Sequence, residues 1–317
     1  MKKVAMIVGV TGQTGSYLAQ RLVHGGQDVV GTSRDKGSEK LWRLDRLGIR
    51  EAVSLEFMSP SDFRSVYMAL DRIKPESVFF LAGQSSVGES FHQPYETLQS
   101  IAVAAQNILE GIRLLDLPTT FVNSASSDMF GHQPGARLDE DSSMQPVSPY
   151  GVAKMASYWT TVQYRDAFGL RAFNSILSNH ESPLRGESFV SRKIINQLRE
   201  MAVGNRSVLE LGNVGVERDW LWAGDVASAL SKFPAIDDPS DFVVASGETH
   251  SLRDLIEGCA GALQLGPGVP IEQDPTASRP SDILSVRLNP QKFRTLTGWR
   301  PRLSFKDLTE RLALGIV

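Results

Sequence analysis

Tyr150 and Lys154 stand four residues apart in the run Ser-Pro-Tyr-Gly-Val-Ala-Lys, residues 148–154. Ser148 can cap a helix there, and Pro149 suits its first position. On such a helix, residues at i and i+4 share one face, with β-carbons roughly 6 Å apart. That spacing puts an ammonium beside a phenol. A nearby positive charge favours the phenolate, so the phenol is expected to titrate below its usual value of about 10. A tyrosine tuned in this way can take a proton from a hydroxyl and return it. Upstream, the apolar run Thr119–Val122 leads into Asn-Ser-Ala-Ser-Ser-Asp at 123–128. Ser126 at the strand end can hold the same hydroxyl, and Asp128 adds a carboxylate two residues on. Tyr-x-x-x-Lys is also frequent on plain exposed helix faces, so its meaning depends on what surrounds it.

The elements that would position these groups are legible as alternating strands and helices. Val4–Val8 is a short β-branched run of the kind found in buried parallel strands. Gly9-Val10-Thr11-Gly12-Gln13-Thr14-Gly15 follows, and then an amphipathic segment, Ser16–His24. Strand, glycine turn and helix in that order let the backbone approach a pyrophosphate at the helix N-terminus. A second strand, Asp28–Thr32, ends in Ser33-Arg34-Asp35-Lys36. An acid at that strand end binds the ribose 2′-hydroxyl of NAD, whereas an arginine accommodates the 2′-phosphate of NADP. Arg34 and Lys36 favour NADP, and Asp35 leaves NAD open. Further strands are expected at Val53–Phe57, Ser77–Ala82, Thr119–Ser124 and Arg171–Leu177. Helices are expected at Phe63–Ile73, Thr97–Leu115 and Tyr150–Phe168. Leu81-Ala82-Gly83-Gln84-Ser85 falls at the C-terminal end of the fourth strand, where ligands of open α/β sheets bind. The alternation predicts an α/β fold with a doubly wound parallel sheet, of Rossmann type.

After Leu177 the texture changes. A helix is expected over Phe189–Met201, a short strand over Val208–Leu211, a helix over Gly224–Lys232, and a return to the main sheet at Phe242–Ala245. We therefore expect a nucleotide-binding domain over residues 1–177, with a later return near 213–247. A smaller interleaved C-terminal lobe over 178–317 would bind substrate. That lobe brings Arg185, Lys193, Arg218 and Arg279 as isolated cations. Separate arginines can fix a compact anion such as a diphosphate by bidentate contacts.

Composition narrows the classes. The chain has 317 residues, 41% hydrophobic and 22% charged, enough for a sizeable core. A net charge of −3 with no basic block does not suggest nucleic-acid binding. The single cysteine, Cys259, excludes an internal disulfide framework and a cysteine metal cluster, and five scattered histidines do not suggest a metal site. Lys2 and Lys3 precede an apolar run too short for a signal peptide or membrane span, so a cytoplasmic protein is expected.

Gly9/Gly12/Gly15 with Tyr150-x-x-x-Lys154 resembles the extended short-chain dehydrogenase/reductase family, over nearly the whole chain. Within it the chain is similar to the GDP-mannose 4,6-dehydratase subgroup. That likeness rests on Gly-Val-Thr-Gly-Gln-Thr-Gly-Ser-Tyr-Leu at the start, Leu-Ala-Gly-Gln-Ser at 81–85 and Tyr-Trp-Thr-Thr-Val-Gln-Tyr-Arg at 158–165. It rests further on Asn-His-Glu-Ser-Pro-Leu-Arg-Gly-Glu-Ser-Phe-Val at 179–190, Leu-Gly-Asn-Val at 211–214 and Arg-Asp-Trp at 218–220. The resemblance implies NADP as cofactor, a GDP-sugar as substrate, a redox-neutral loss of water, and a homodimer or homotetramer. It gives Ser126, Asp128, Tyr150 and Lys154 catalytic roles. It assigns Gly9, Thr11, Gly12, Gln13, Thr14, Gly15, Arg34, Leu81, Ala82, Gln84, Leu177, His180 and Arg185, with Tyr150 and Lys154, to the cofactor. It assigns Ser85, Ser126, Asn179, Val190, Lys193, Gly212, Arg218 and Arg279 to the substrate. Ser126 replaces the family's usual threonine and Asp128 its glutamate; Ser59 stands where an aspartate meets the adenine, and one arginine, Arg34, stands where the family has a pair. The shortened acid keeps two alternatives open: a reductase of the 4-keto sugar, and a nucleotide-sugar-binding protein without turnover.

Overall fold

The computed structural model describes residues 3–34, 41–274 and 280–317. Asp35, Lys36 and Arg279 lie outside the described residues. In chain order the strands are β1 (Val4–Val8), β2 (Asp28–Ser33), β3 (Val53–Phe57), β4 (Ser77–Phe80), β5 (Thr120–Ser126) and β6 (Ala172–Leu177). Then come β7 (Asn179–Glu181), β8 (Leu209–Leu211), β9 (Glu217–Arg218), β10 (Trp220–Trp222), β11 (Asp241–Val244), β12 (His250–Ser251) and β13 (Ile271–Gln273). Seven of them form one sheet in the order β11-β6-β5-β4-β1-β2-β3, every pair parallel. The order reverses between β1 and β4, which opens a crevice at their C-terminal ends.

Both faces of the sheet are covered because apolar side chains of the central strands point to each of them. Ile7, Phe79, Val122 and Phe173 point to one face, against Leu18 and Leu22 of α1 (Gln13–His24) and Val226 and Leu230 of α9 (Ala223–Leu230). Met6, Val78, Phe80 and Phe121 point to the other, against Val66 and Leu70 of α3 (Phe63–Ile73) and Ile108 and Leu109 of α6 (Ala104–Leu114). Two-residue periodicity, read through each strand, thus builds a two-faced core.

Two expected elements differ. The strand expected over Ser77–Ala82 stops at Phe80. Gly83 then turns at φ +119°, where a Cβ would sit 2.7 Å from Ile101 Cγ1. The helix expected over Thr97–Leu115 begins earlier, as α5 (Pro94–Leu98), and widens into a π turn at Gln99–Val103 before α6. The Ser100 hydroxyl donates to Glu96 O at 2.7 Å and accepts from Gln84 N at 3.2 Å. The wide turn therefore presents Ser100 to the crevice, a use that single-turn π bulges often serve.

After β6 the small sheets pair β7 with β10, β9 with β12, and β8 with β13. Asp219 ties this region together: it is buried and accepts from Ser246 N at 2.8 Å and Gly247 N at 2.6 Å. The predicted return to the main sheet is β11, which pairs with β6. No helix among the described residues is long and apolar enough to cross a membrane.

Candidate active site

A cleft of about 470 Å³ lies over the C-terminal ends of the central strands. One wall is the glycine turn. Gly9 adopts φ +97°, and a Cβ there would come 2.9 Å from Ala82 N; a Cβ on Gly15 would come 2.2 Å from Gly9 O. Only glycine lets β1, the turn and the Leu81 loop approach this closely. No side chain caps α1 at Gly12 and its first turn holds no acid. The positive end of the helix thus faces the cleft. A nicotinamide dinucleotide fits this wall: the turn leaves room for a diphosphate and the helix start attracts one.

The opposite side carries the proton-handling groups. The Ser148 hydroxyl caps α7 (Pro149–Phe168), accepting from Gly151 N at 3.0 Å, as the sequence predicted. A Cβ on Gly151 would lie 2.9 Å from Asp128 O, so the first turn of α7 packs directly on the Asp128 loop. Deeper down, Asp241 of β11 accepts from Tyr158 Oη at 2.8 Å and from both ends of the Arg165 fork, at 2.9 and 3.2 Å. Asn174 donates to the same carboxylate at 2.9 Å and accepts from Asn123 at 2.8 Å. This buried network fixes α7 against β5, β6 and β11, and thereby sets where Tyr150 and Lys154 stand. Nothing in the local sequence pattern announced Asp241, because its partners come from two other elements, α7 and β6.

Ser126, Asp128, Tyr150 and Lys154 all line the cleft. The Ser126 hydroxyl donates to Asp128 Oδ2 at 3.1 Å, and Asp128 N donates back to Ser126 Oγ at 3.2 Å. Lys154 Nζ lies 5.8 Å from the centre of the Tyr150 ring and donates to Ser124 O at 2.6 Å. The expected lowering of the phenol does not appear. Burial, and then the Asp128 carboxylate, push Tyr150 up, with the Ser126 hydroxyl partly opposing them. Lys154 is pushed down to about 8 by burial, with Asp128 opposing. Spacing alone missed this because it counts the charge and not the loss of water around it.

Most of the other expected residues meet here too. Gly9, Thr11, Gly12, Gln13, Thr14, Gly15, Arg34, Leu81, Ala82, Leu177, His180 and Arg185 line the cleft, as do Ser85, Asn179, Val190 and Arg218. Arg34 also makes an exposed ion pair with Glu96 at 3.4 Å, and Arg218 pairs with Asp282 at 3.3 Å. Three expected residues stand apart. Gln84 folds back on its own loop, donating to Ser86 O at 2.8 Å. Lys193 is exposed, because α8 (Val190–Ala202) turns Ser191, Ile194 and Ile195 inward instead. Gly212 does not line the cleft. Thr32, Arg43, Ser61, Ser100 and Glu181 line it without having been singled out.

His180 joins the two walls. Its Nδ1 lies 2.9 Å from Ser178 O, which can only accept, so Nδ1 carries the proton. Nε2 therefore accepts from the Thr14 hydroxyl at 2.7 Å. Gln13 reinforces the link, donating to His180 O at 3.0 Å and accepting from Ser182 at 2.8 Å. Burial, then the Arg185 charge, depress His180 to about 4. An unfolded histidine takes its proton near 6.5, before the folded one does. The stability His180 contributes is thus complete above about 6.5 and is lost as pH falls toward 4. Asp219, raised to about 6 by burial, has the opposite sign and stabilises the fold as pH drops below 6. Asp219 is common to wild type and a His180→Asn variant, so it cancels between them. From pH 7 to 5, the urea-unfolding free energy of wild type should fall by about 2 kcal/mol more than that of His180→Asn, at roughly 1.4 kcal/mol per pH unit. Equal losses would remove the neutral His180 assignment.

The family model described as GDP-mannose 4,6 dehydratase matches residues 6–312. The chain belongs to the GDP-mannose 4,6-dehydratase family. It is thereby an enzyme of the lyase class on a short-chain dehydrogenase/reductase fold. It is 35% identical to GDP-mannose 4,6 dehydratase 1 of Arabidopsis thaliana, over 98% of this chain and 89% of that protein. It is 34% identical to GDP-mannose 4,6-dehydratase of Vibrio cholerae, over 99% and 94%. In fold it is similar to the Thermus thermophilus UDP-glucose 4-epimerase, solved with NAD, at TM-score 0.85 and 23% identity, covering 99% of this chain and 100% of that one. It is also similar to RMD of Pseudomonas aeruginosa, solved with NADPH, at TM-score 0.81 and 24% identity, over 99% and 97%.

Proposed function

We propose that this chain converts GDP-mannose to GDP-4-keto-6-deoxymannose with NADP as a resident cofactor. The observation that carries this reading is the convergence of Ser126, Asp128, Tyr150 and Lys154 on one cleft wall, opposite the glycine turn, in a member of this family. Bound NADP would accept the hydride from C4 of the sugar and return it to C6. Burial keeps the Tyr150 phenol protonated in the free protein. The positive charges of Lys154 and of an oxidised nicotinamide would offset this with the cofactor bound, so that Tyr150 Oη can remove the O4 proton with Ser126 Oγ holding O4 in line. The resulting 4-ketone acidifies the proton on C5. Asp128 removes that proton and passes it to the C6 hydroxyl, which leaves as water. With the hydride returned to C6, the proton taken from O4 by Tyr150 goes back to C5, and the sugar has lost one water with no net redox change. Ser124 O holds the Lys154 ammonium 5.8 Å from the centre of the Tyr150 ring, where its charge favours the phenolate.

NADP rather than NAD is supported by Arg34 in the cleft lining, beside Thr32 and Ser33, neither of which is an acid. A homodimer or homotetramer is supported by exposed apolar side chains on two packed helices: Val152 and Trp159 of α7, Tyr95 and Leu98 of α5. A light-scattering mass of one chain would remove that part.

The test is an incubation with GDP-mannose and no added reductant. A 4-keto sugar should form with no net change in NADPH. The shorter acid at Asp128 favours one competing reading, a reductase. That enzyme would leave GDP-mannose untouched and oxidise NADPH stoichiometrically when given the keto sugar.

A further inference from the structure

Arg43 sits on α2 (Trp42–Arg46), outside every motif that drew attention in the sequence, yet it lines the cleft. Its Nε donates to Leu184 O at 2.7 Å and its Nη1 to Thr11 O at 3.0 Å. One guanidinium thus bridges the glycine turn and the segment that leads into Arg185. Both contacts are to neutral carbonyls. Among the described residues no carboxylate pairs with Arg43. Burial and the neighbouring Arg185 both lower its hold on its proton, as expected of two cations kept close.

Arg185 adds a second positive charge that is itself poorly balanced. Its own partner, Glu181, is buried, 3.7 Å away, and already accepts from Ser191 Oγ at 2.6 Å. Arg185 Nε is buried without a hydrogen-bond partner, and its guanidinium stacks 3.7 Å over the Phe189 ring. Two guanidinium groups therefore line one part of the cleft against a single occupied carboxyl, beside the uncapped start of α1. A part-buried cation short of a counter-charge is costly, and a bound anion relieves it. Arg34, at the end of β2, is separate from this cluster and has Glu96 as its partner.

We propose that Arg43 binds the diphosphate bridge of the nicotinamide dinucleotide, facing the start of α1 and paired with Arg185. The inference rests on the cofactor reading above and adds a residue to it. Arg43 then acts on the part common to NAD and NADP, whereas Arg34 acts on the 2′-phosphate alone.

The experiment is a fluorescence titration of nucleotide-free protein with NADPH and with NADH, and a calorimetric titration with GDP, for wild type, Arg43→Gln and Arg43→Lys. Arg43→Gln should weaken NADPH and NADH by the same factor, about tenfold or more. Arg43→Lys, which keeps the charge and loses the fork, should weaken both by less. GDP affinity should not move. A purely structural clamp would lower the thermal midpoint of both variants without an ordered loss in the two dinucleotides. The inference is overturned by unchanged dinucleotide affinity in Arg43→Gln, by a loss confined to NADPH, or by an equal loss for GDP. Wild type that bound neither dinucleotide would instead overturn the cofactor reading itself, and this inference with it.

Discussion

Tyr150→Phe should reduce turnover of GDP-mannose by roughly 10²–10⁴-fold, the range expected when a positioned acid/base is removed. The substitution deletes one oxygen from a buried ring and leaves Lys154, Ser124 and the glycine turn in place. NADPH affinity should therefore change little, and the thermal midpoint with it. The loss should appear in kcat rather than KM, because the phenol acts in the transition state. Ser126 cannot substitute: its hydroxyl already donates to Asp128. A Phe variant within tenfold of wild type would show that the proton leaves by another route.

Asp128→Asn is the second large effect. The amide cannot accept the C5 proton, so dehydration should fall by roughly 10²–10⁴-fold. The first oxidation at C4 does not use this group and should survive. Reduction of bound NADP by GDP-mannose separates the two variants, since only Asp128→Asn should show it, whereas exchange of the C5 hydrogen with D₂O should be lost in both. Tyr150→Phe should lose exchange because no ketone forms, and Asp128→Asn because the ketone has no base. Asp128→Glu should preserve or raise the rate. It restores the family's residue and adds about 1.5 Å of reach, roughly one bond length, which matters when transfer needs heavy atoms within about 2.6–3.2 Å or one water. Exchange persisting in Asp128→Asn at the wild-type rate would take the elimination away from this carboxylate.

The sheet was legible because short runs rich in apolar residues alternate with turns and helical segments, and β3 and α3 begin and end where the sequence puts them. That Ser126, Asp128, Tyr150 and Lys154 meet in one cleft was legible because the first two are close in sequence and the last two share one helix. What escaped notice depends on distance in the chain. Arg43 matters through Thr11 and Leu184, and Asp241 through Tyr158, Arg165 and Asn174; no local pattern links such partners. The phenol's upward shift escaped for a related reason, since burial is a property of the packed cleft. Lys193 is expected in the site as an isolated cation just after the run at 179–190. Its position on α8 turns it outward.

The central claim is that one hydride leaves C4 of the hexose and comes back to C6 of the same molecule. GDP-mannose carrying deuterium at C4, incubated with the wild-type enzyme and no added reductant, tests it most directly. The account predicts a keto product with the deuterium on its C6 methyl group. Product whose methyl carries only hydrogen, or label left on nicotinamide released to solution, would contradict it.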